Sequence, residues 1–265
     1  MQILTDASFL RALVAVIFAG ISCSLIGVLL MSLRISFLGV CMSHSAFLGV
    51  LIGLLIGINP ILSAFILTLL SASILGPISD KGKLSPETAI GILFSSTLGV
   101  AFIIMKFIPN SNDALSYLWG SVLTVSNMNI IILIIISLLT ILLIIIFYKQ
   151  IVIVLFDRTL ASSFGIKSKM IFYSIIITCG LITTASISSI GGLLVFSLIL
   201  NPAVSAYQLT YSMKKLFWLS VLFGVLSNIL GLFIAWHFDL PVSATIVICS
   251  TIIYVISVIF SIKRS

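Results

Sequence analysis

Charge is what this chain has least of. Only 7% of its 265 residues are Asp, Glu, Lys or Arg, against about 25% in a soluble domain, so they could not cover the surface of a water-soluble fold. That excludes a cytosolic enzyme, and a hydrophobic content of 61% excludes a disordered tail. Cysteine is scarce as well: Cys23, Cys41, Cys179 and Cys249 all fall inside apolar runs and form no Cys-x-x-Cys pair, which argues against a secreted disulfide scaffold. The six acids, Asp6, Asp80, Glu87, Asp113, Asp157 and Asp239, lie in loops or at the ends of apolar runs. Transporters coupled to protons or sodium place ionisable relays inside the bilayer, and no carboxylate is expected there. A phosphate loop is also missing, since the nearest approach, residues 76–84, has the wrong spacing before Gly82-Lys83 and no following Ser or Thr. Energy for any active process must come from a partner.

What the chain does have is long apolar runs. A spanning helix takes about 20 mostly apolar residues, and such runs predict spans at 10–33, 36–57, 61–79, 88–107, 128–147, 170–187, 190–209, 216–236 and 242–261. They are continuously apolar rather than alternating, which excludes a barrel. The fold class is therefore an all-α polytopic transmembrane bundle of nine spans, or eight if 190–209 is broken or re-entrant. Gly191, Gly192 and Pro202 interrupt that run, and its start at 186–189 is polar. The first run is too long for a signal peptide and lacks an Ala-x-Ala cleavage site, so a retained helix is expected. Gly49, Gly53 and Gly57, with Ala19 and Gly27, make smooth helix faces suited to close approach.

The formal charge of +7 would suggest nucleic acid in a soluble protein. Here it marks topology instead. With nine alternating spans, Arg34, Lys81, Lys83, Lys149, Arg158, Lys167, Lys169, Lys214, Lys215, Lys263 and Arg264 share one side, eleven of the thirteen basic residues, and Arg11 and Lys106 take the other. The richer side is cytoplasmic, so the N-terminus lies outside and the C-terminus inside. Deleting 190–209 would move Lys214 and Lys215 outside, which favours nine. The external segment 109–127 offers Tyr117 and Trp119 to the interface, and Lys106 and Asp113 flank it. Ser85-Pro86-Glu87 reads as an N-cap, a first-turn proline and an acid suited to the helix dipole.

Two places carry candidate chemistry. In the cytoplasmic segment 149–169, Phe156-Asp157-Arg158, then Leu160, Ala161 and Phe164 before Gly165, reads as a short amphipathic helix with a glycine stop. It suits either docking or lying on headgroups. His44 is the ionisable group deep in a span, about eight residues from the cytoplasmic entry at Ser36, roughly 12 Å in. Cys41, three residues earlier, shares its face, and sulfur with nitrogen suits a transition metal. A histidine satisfied by a neighbouring carbonyl, with Cys41 as a small core residue, is the other reading. At the external end of the eighth span, His237 and Asp239 suit either a transient metal contact or plain solvation.

The stretch Arg34-Ile-Ser-Phe-Leu-Gly39-Val-Cys-Met-Ser43-His44-Ser-Ala46-Phe-Leu-Gly49, with Gly53 and Asn59-Pro60 beyond, resembles the second-helix signature of the membrane subunits of zinc/manganese-type metal ABC importers. The likeness continues through Thr88 to Ile92 with Ser95, Leu118 to Val125, Asp157 with Ala161 and Gly165, Gly191 to Val195 with Pro202, Ala203 and Ala206, then Gly231 and Asp239-Leu240-Pro241. This implies one permease domain over 1–265 in a prokaryotic cell (inner) membrane. It further implies partnership with a second permease copy, cytoplasmic ATP-binding subunits that hold the ATP, and an extracytoplasmic metal-binding protein, with no permanently bound cofactor. Phe156, Asp157, Ala161 and Gly165 correspond to a coupling helix that seats in the ATPase, and His44 to a metal-holding histidine. The family's acid four residues before that histidine is absent: its position is Val40. Manganese favours oxygen ligands, so the Cys41 and His44 pair points toward zinc. A permease for metal chelates of siderophore or cobalamin type is the nearest rival. An intramembrane protease is excluded, because no nucleophile–base pair or facing carboxylates can be identified.

Overall fold

A computed structural model describes residues 7–82, 84–108 and 125–263. Tyr117, Trp119, Asp113 and most of the Leu118 to Val125 motif lie outside them. Among the described residues there are helices and no strands. In chain order these are α1 (Ala7–Ser32), α2 (Leu38–Ile56), α3 (Pro60–Gly82), α4 (Pro86–Met105), α5 (Asn127–Phe156), α6 (Arg158–Ser163), α7 (Ser168–Ile190), α8 (Gly192–Leu209), α9 (Met213–Phe238) and α10 (Val242–Ile259). Eight are long and apolar enough to cross a membrane, and the stretch Leu194–Leu209 of α8 is a shorter apolar helix.

Hydrocarbon offers no partner to a backbone amide, so every spanning segment must close its own ladder. The hydroxyls follow the same logic. Ser22, Thr68, Thr183 and Thr184 each donate to the carbonyl four residues back, at 2.7, 2.7, 2.7 and 2.9 Å. Thr184 also meets Thr68 at 3.0 Å, tying α7 to α3. Ser85 caps α4 by accepting from the Thr88 amide at 3.2 Å, with Pro86 in the first turn.

Two expected boundaries move. The span at 128–147 does not stop there: α5 runs for 30 residues and bends at Phe147, where φ is −100° and ψ 16°. Lys149 and Gln150 are good helix formers, and the apolar run 151–156 carries the helix onward. Of the interruptions in 190–209, the two glycines sit at its edge, and Pro202 lies inside a helix that does not break there. Gly191, with φ +86°, is the corner between α7 and α8, and α8 continues through Pro202 to Leu209. The carbonyls at the end of α7 are met from neighbouring helices: Asn129 donates to Ser188 at 3.2 Å and Ser243 to Ile190 at 3.3 Å. Asn201 of α8 donates to Ser250 of α10 at 2.9 Å.

The core forms where α1, α2, α7 and α8 meet. Small residues set its spacing. A Cβ on Gly27 would lie 1.9 Å from the Ile199 carbonyl oxygen of α8, and one on Gly49 only 2.5 Å from the Ala64 Cα of α3. Gly53 faces Pro60 in the same way at 2.8 Å. Of the smooth faces expected from sequence, Gly27, Gly49 and Gly53 pack inside the protomer, whereas Gly57 is the exposed C-cap of α2. Gly27→Ala should lower the melting temperature of the detergent-solubilised chain by roughly 5 °C or more, from an overpacking cost of about 2 kcal/mol. Gly99→Ala, where a Cβ meets nothing within 4 Å, should leave it unchanged or raised.

Candidate functional site

The site begins at the corner between α1 and α2. Arg34 takes a left-handed conformation, φ +59°, and the amides of Arg34 and Ile35 return to the carbonyls of Met31 and Leu30, both at 3.0 Å. This tight reversal starts α2 at Leu38 and places His44 two turns in. Gly39 then touches the Ile199 side chain of α8, and Gly49 and Gly53 lie against α3. With those two faces held, Phe37, Val40 and His44 fall on the remaining one, toward α4, where Phe37 is exposed and Val40 and His44 are half-buried.

The imidazole is oriented from two sides. Nδ1 lies 3.0 Å from the Val40 carbonyl oxygen and 3.4 Å from the Ser43 hydroxyl. A carbonyl can only accept, so the neutral ring carries its proton on Nδ1 and keeps a lone pair on Nε2. The Phe94 ring of α4 meets the imidazole edge-on, centroids 4.9 Å apart, and Phe37 meets Phe94 at 5.1 Å. Among the described residues Nε2 has no hydrogen-bond partner. A histidine fixed through one nitrogen with the other free is compatible with a metal ligand, and equally with a histidine satisfied by a neighbouring carbonyl.

Cys41 shares α2 but not these surroundings. Its side chain is fully buried in the same core as Cys23 and Cys179, and its carbonyl accepts from Ser45 at 3.0 Å. Among the described residues no group of three or more His, Cys, Asp or Glu side chains is placed to hold a metal ion. An ion meeting His44 would gain few protein ligands. Weak holding suits a conduction path, where binding must permit release.

His237 and Asp239 are both exposed at the end of α9. Asp239 is its left-handed C-cap, φ +52°, with its amide on the Ala235 carbonyl, and the His237 ring stands edge-on to Phe238 at 5.0 Å. The structure records no hydrogen bond or ion pair between their side chains.

The short helix α6 forms where the sequence places it. Asp157 caps it, one carboxylate oxygen accepting from the amides of Thr159 at 2.6 Å and Leu160 at 3.1 Å. Gly165, φ +75°, ends it, and the Ile166 amide returns to the Ala161 carbonyl at 3.0 Å. Ala161 is fully buried, whereas Phe156 and Phe164 are 86% and 75% exposed. The Arg158 guanidinium stacks on Phe172 of α7, 3.7 Å from its centroid, fixing α6 to the bundle. The result is a short capped knob with two exposed aromatic rings.

Sequence reasoning missed Phe94. Its contact with His44 depends on which helix covers α2, and no local pattern carries that information. Phe164 enters the sequence reading only as part of an amphipathic pattern; it is the C-cap of α6, φ −85° and ψ 11°, and its exposure is not carried by that pattern.

The chain is similar to known proteins along nearly its whole length. A family model described as "ABC 3 transport family" matches residues 5–261. The chain is 31% identical over 262 residues to the "Manganese transport system membrane protein MntC" of Listeria monocytogenes, covering 98% of this chain and 94% of that one. It is also similar to a solved structure, "PsaBC from Streptococcus pneumoniae in complex with Fab", with TM-score 0.87, 28% identity and coverage of 99% and 95%. A second structure, "An inward-facing conformation of a putative metal-chelate type ABC transporter", has TM-score 0.82 at 15% identity, covering 98% of this chain and 88% of that one. At that identity it speaks for the fold alone.

Asp157→Ala should remove the cap of α6, at a cost of about 1 kcal/mol. Hydrogen exchange at the Thr159 and Leu160 amides should then quicken about fivefold, read by mass spectrometry.

Proposed function

The chain belongs to the ABC 3 transport family, and from that premise we propose that it lines the path of an ATP-driven importer for a divalent transition-metal ion, manganese or zinc. It is a multi-pass permease of a prokaryotic cell membrane. The observation that carries the proposal is the free Nε2 of His44, held on an open face of α2 and turned from the core. The ion meets this nitrogen with water and backbone oxygens completing its shell.

Manganese is the first reading. Relatives named for manganese span nearly the whole chain, and the burial of Cys41 leaves the His44 nitrogen without a thiol beside it on the open face, which water oxygens can complete into a set compatible with manganese. Zinc is the second reading, favoured by the soft thiol of Cys41 if α2 turns during transport. For a chelate permease the support is fold likeness alone.

In the assembly we infer, two copies of the chain bind cytoplasmic ATP-binding subunits, and an extracytoplasmic metal-binding protein delivers the ion. The chain itself is not an enzyme. The N-terminus faces outward and the C-terminus inward, which puts His237 and Asp239 at the entrance and α6 at the exit. Phe156 and Phe164 seat in the ATPase, Ala161 holds the knob against the permease, and Asp157 and Gly165 set its ends, within the coupling segment 149–169 of a single permease domain. ATP-driven movement of α6 then rocks the packed helices as rigid bodies.

Radiolabelled manganese and zinc uptake by the assembled importer tests the site. His44→Ala should lower uptake of the transported ion about tenfold or more at equal membrane abundance, while Cys41→Ala stays within about twofold for manganese. Unchanged uptake in His44→Ala overturns the ligand role. Loss of zinc uptake in Cys41→Ala with manganese spared favours the zinc reading.

A further inference from the structure

A groove on the outer surface of the bundle has no part in the path just described. Its floor is Leu25 of α1, and α5 and α9 form its walls: both pack on α1 but barely touch each other. It encloses about 450 Å³, within the range of about 300–1,000 Å³ that small-molecule sites occupy. Ile141 and Ile145 line it along α5, and the bend at Phe147 brings Tyr148 to its rim. On α9 the lining is Trp218 and, one turn nearer the helix start, Lys214.

The chemistry of the two walls is in register. α5 runs toward the end at which α9 begins, so Tyr148 and Lys214 sit together at one end and isoleucines fill the other. Trp218 is 77% exposed and Ile145 68%, so the groove opens sideways, into lipid, rather than toward water. An indole and a phenol at one level, a lysine beside them and hydrocarbon beyond reproduce the polarity profile of one membrane leaflet. The lysine stem can lie along the apolar wall with its ammonium at the headgroup level. No carboxylate lines the groove, and Lys149 and Lys215 adjoin its polar end in sequence.

We propose that this groove binds one acyl chain of an anionic phospholipid, whose headgroup phosphate pairs with Lys214. A zwitterionic lipid would fill the hydrocarbon end equally well but gain less from the lysine. That the lipid belongs to the cytoplasmic leaflet rests on the orientation proposed above. The binding itself does not, and it is read without metal or ATP, so its failure and the failure of the transport reading are distinguishable.

Native mass spectrometry of the detergent-purified full chain with its co-purified subunits supplies the test, with dioleoyl phosphatidylglycerol and dioleoyl phosphatidylcholine as probes. Phosphatidylglycerol should bind about fivefold more tightly, the preference expected from one lysine near a charged headgroup, and Lys214→Gln should bring the ratio close to one. Ile145→Trp, which fills the groove, should lower binding of both lipids. Should Lys214→Gln fail to fold, the wild-type preference must still shrink as ionic strength rises. Equal binding of the two lipids to the wild type, a preference unaltered by Lys214→Gln or by salt, or undiminished binding to Ile145→Trp overturns the proposal.

Discussion

Helix backbones that touch are what the rest of this structure depends on. Among lipid tails, helices gain little from hiding apolar side chains and associate through close packing. Gly27 lets α1 reach the Ile199 carbonyl of α8, Gly39 lets α2 reach the side chain of that same residue, and Gly49 and Gly53 bring α2 against α3. The second helix is thus held on two faces, and at Gly49 and Gly53 an added methyl group would come within 3 Å of the α3 backbone. Its third face, carrying Phe37, Val40 and His44, is left for α4 to cover in part. The glycines therefore choose which residues of α2 enter the core and which stay open, and they turn Cys41 inward and His44 outward.

Electrostatics complete what packing begins. Four acids fall among the described residues, all near helix ends: Asp80 in the last turn of α3, and Glu87, Asp157 and Asp239 as first-turn acid, cap and C-cap. None is placed to relay a proton through the bundle. The histidine donates its Nδ1–H to the Val40 carbonyl and leaves the Nε2 lone pair free. On the proposed reading, a single nitrogen in a half-buried setting holds a cation without trapping it, which fits a path better than a store. At the far end of α5 the rings of Phe156 and Phe164 are exposed, as the proposed docking to an ATP-binding partner requires.

Much of this was legible in the sequence. Apolar runs located the spans, because the bilayer sets their length. Ser85-Pro86 marked the start of α4, and Asp157 with Gly165 marked the ends of α6, because caps are local chemistry. The end of α5 was not legible: hydropathy falls at Tyr148 and Lys149, but falling hydropathy marks the edge of the lipid and not the end of a helix. Pro202 suggested a break that α8 does not make, since a freed carbonyl can be tolerated inside a packed bundle. The separation of Cys41 from His44 was hidden for a different reason. Residues three apart differ by about 60° around a helix axis, and whether that angle unites or divides them depends on neighbours brought in from α4, α7 and α8.

The claim that the Val40 and His44 face of α2 is the ion's path can be tested by thiol labelling. Cys23, Cys41 and Cys179 are fully buried and Cys249 is 9% exposed, so in Val40→Cys the introduced thiol is the accessible one. The measurement is the rate at which a small methanethiosulfonate reagent modifies it in the assembled importer, with and without manganese. Modification that manganese slows is the expected result. A thiol that never reacts, or one that reacts at the same rate with and without the ion, would contradict it.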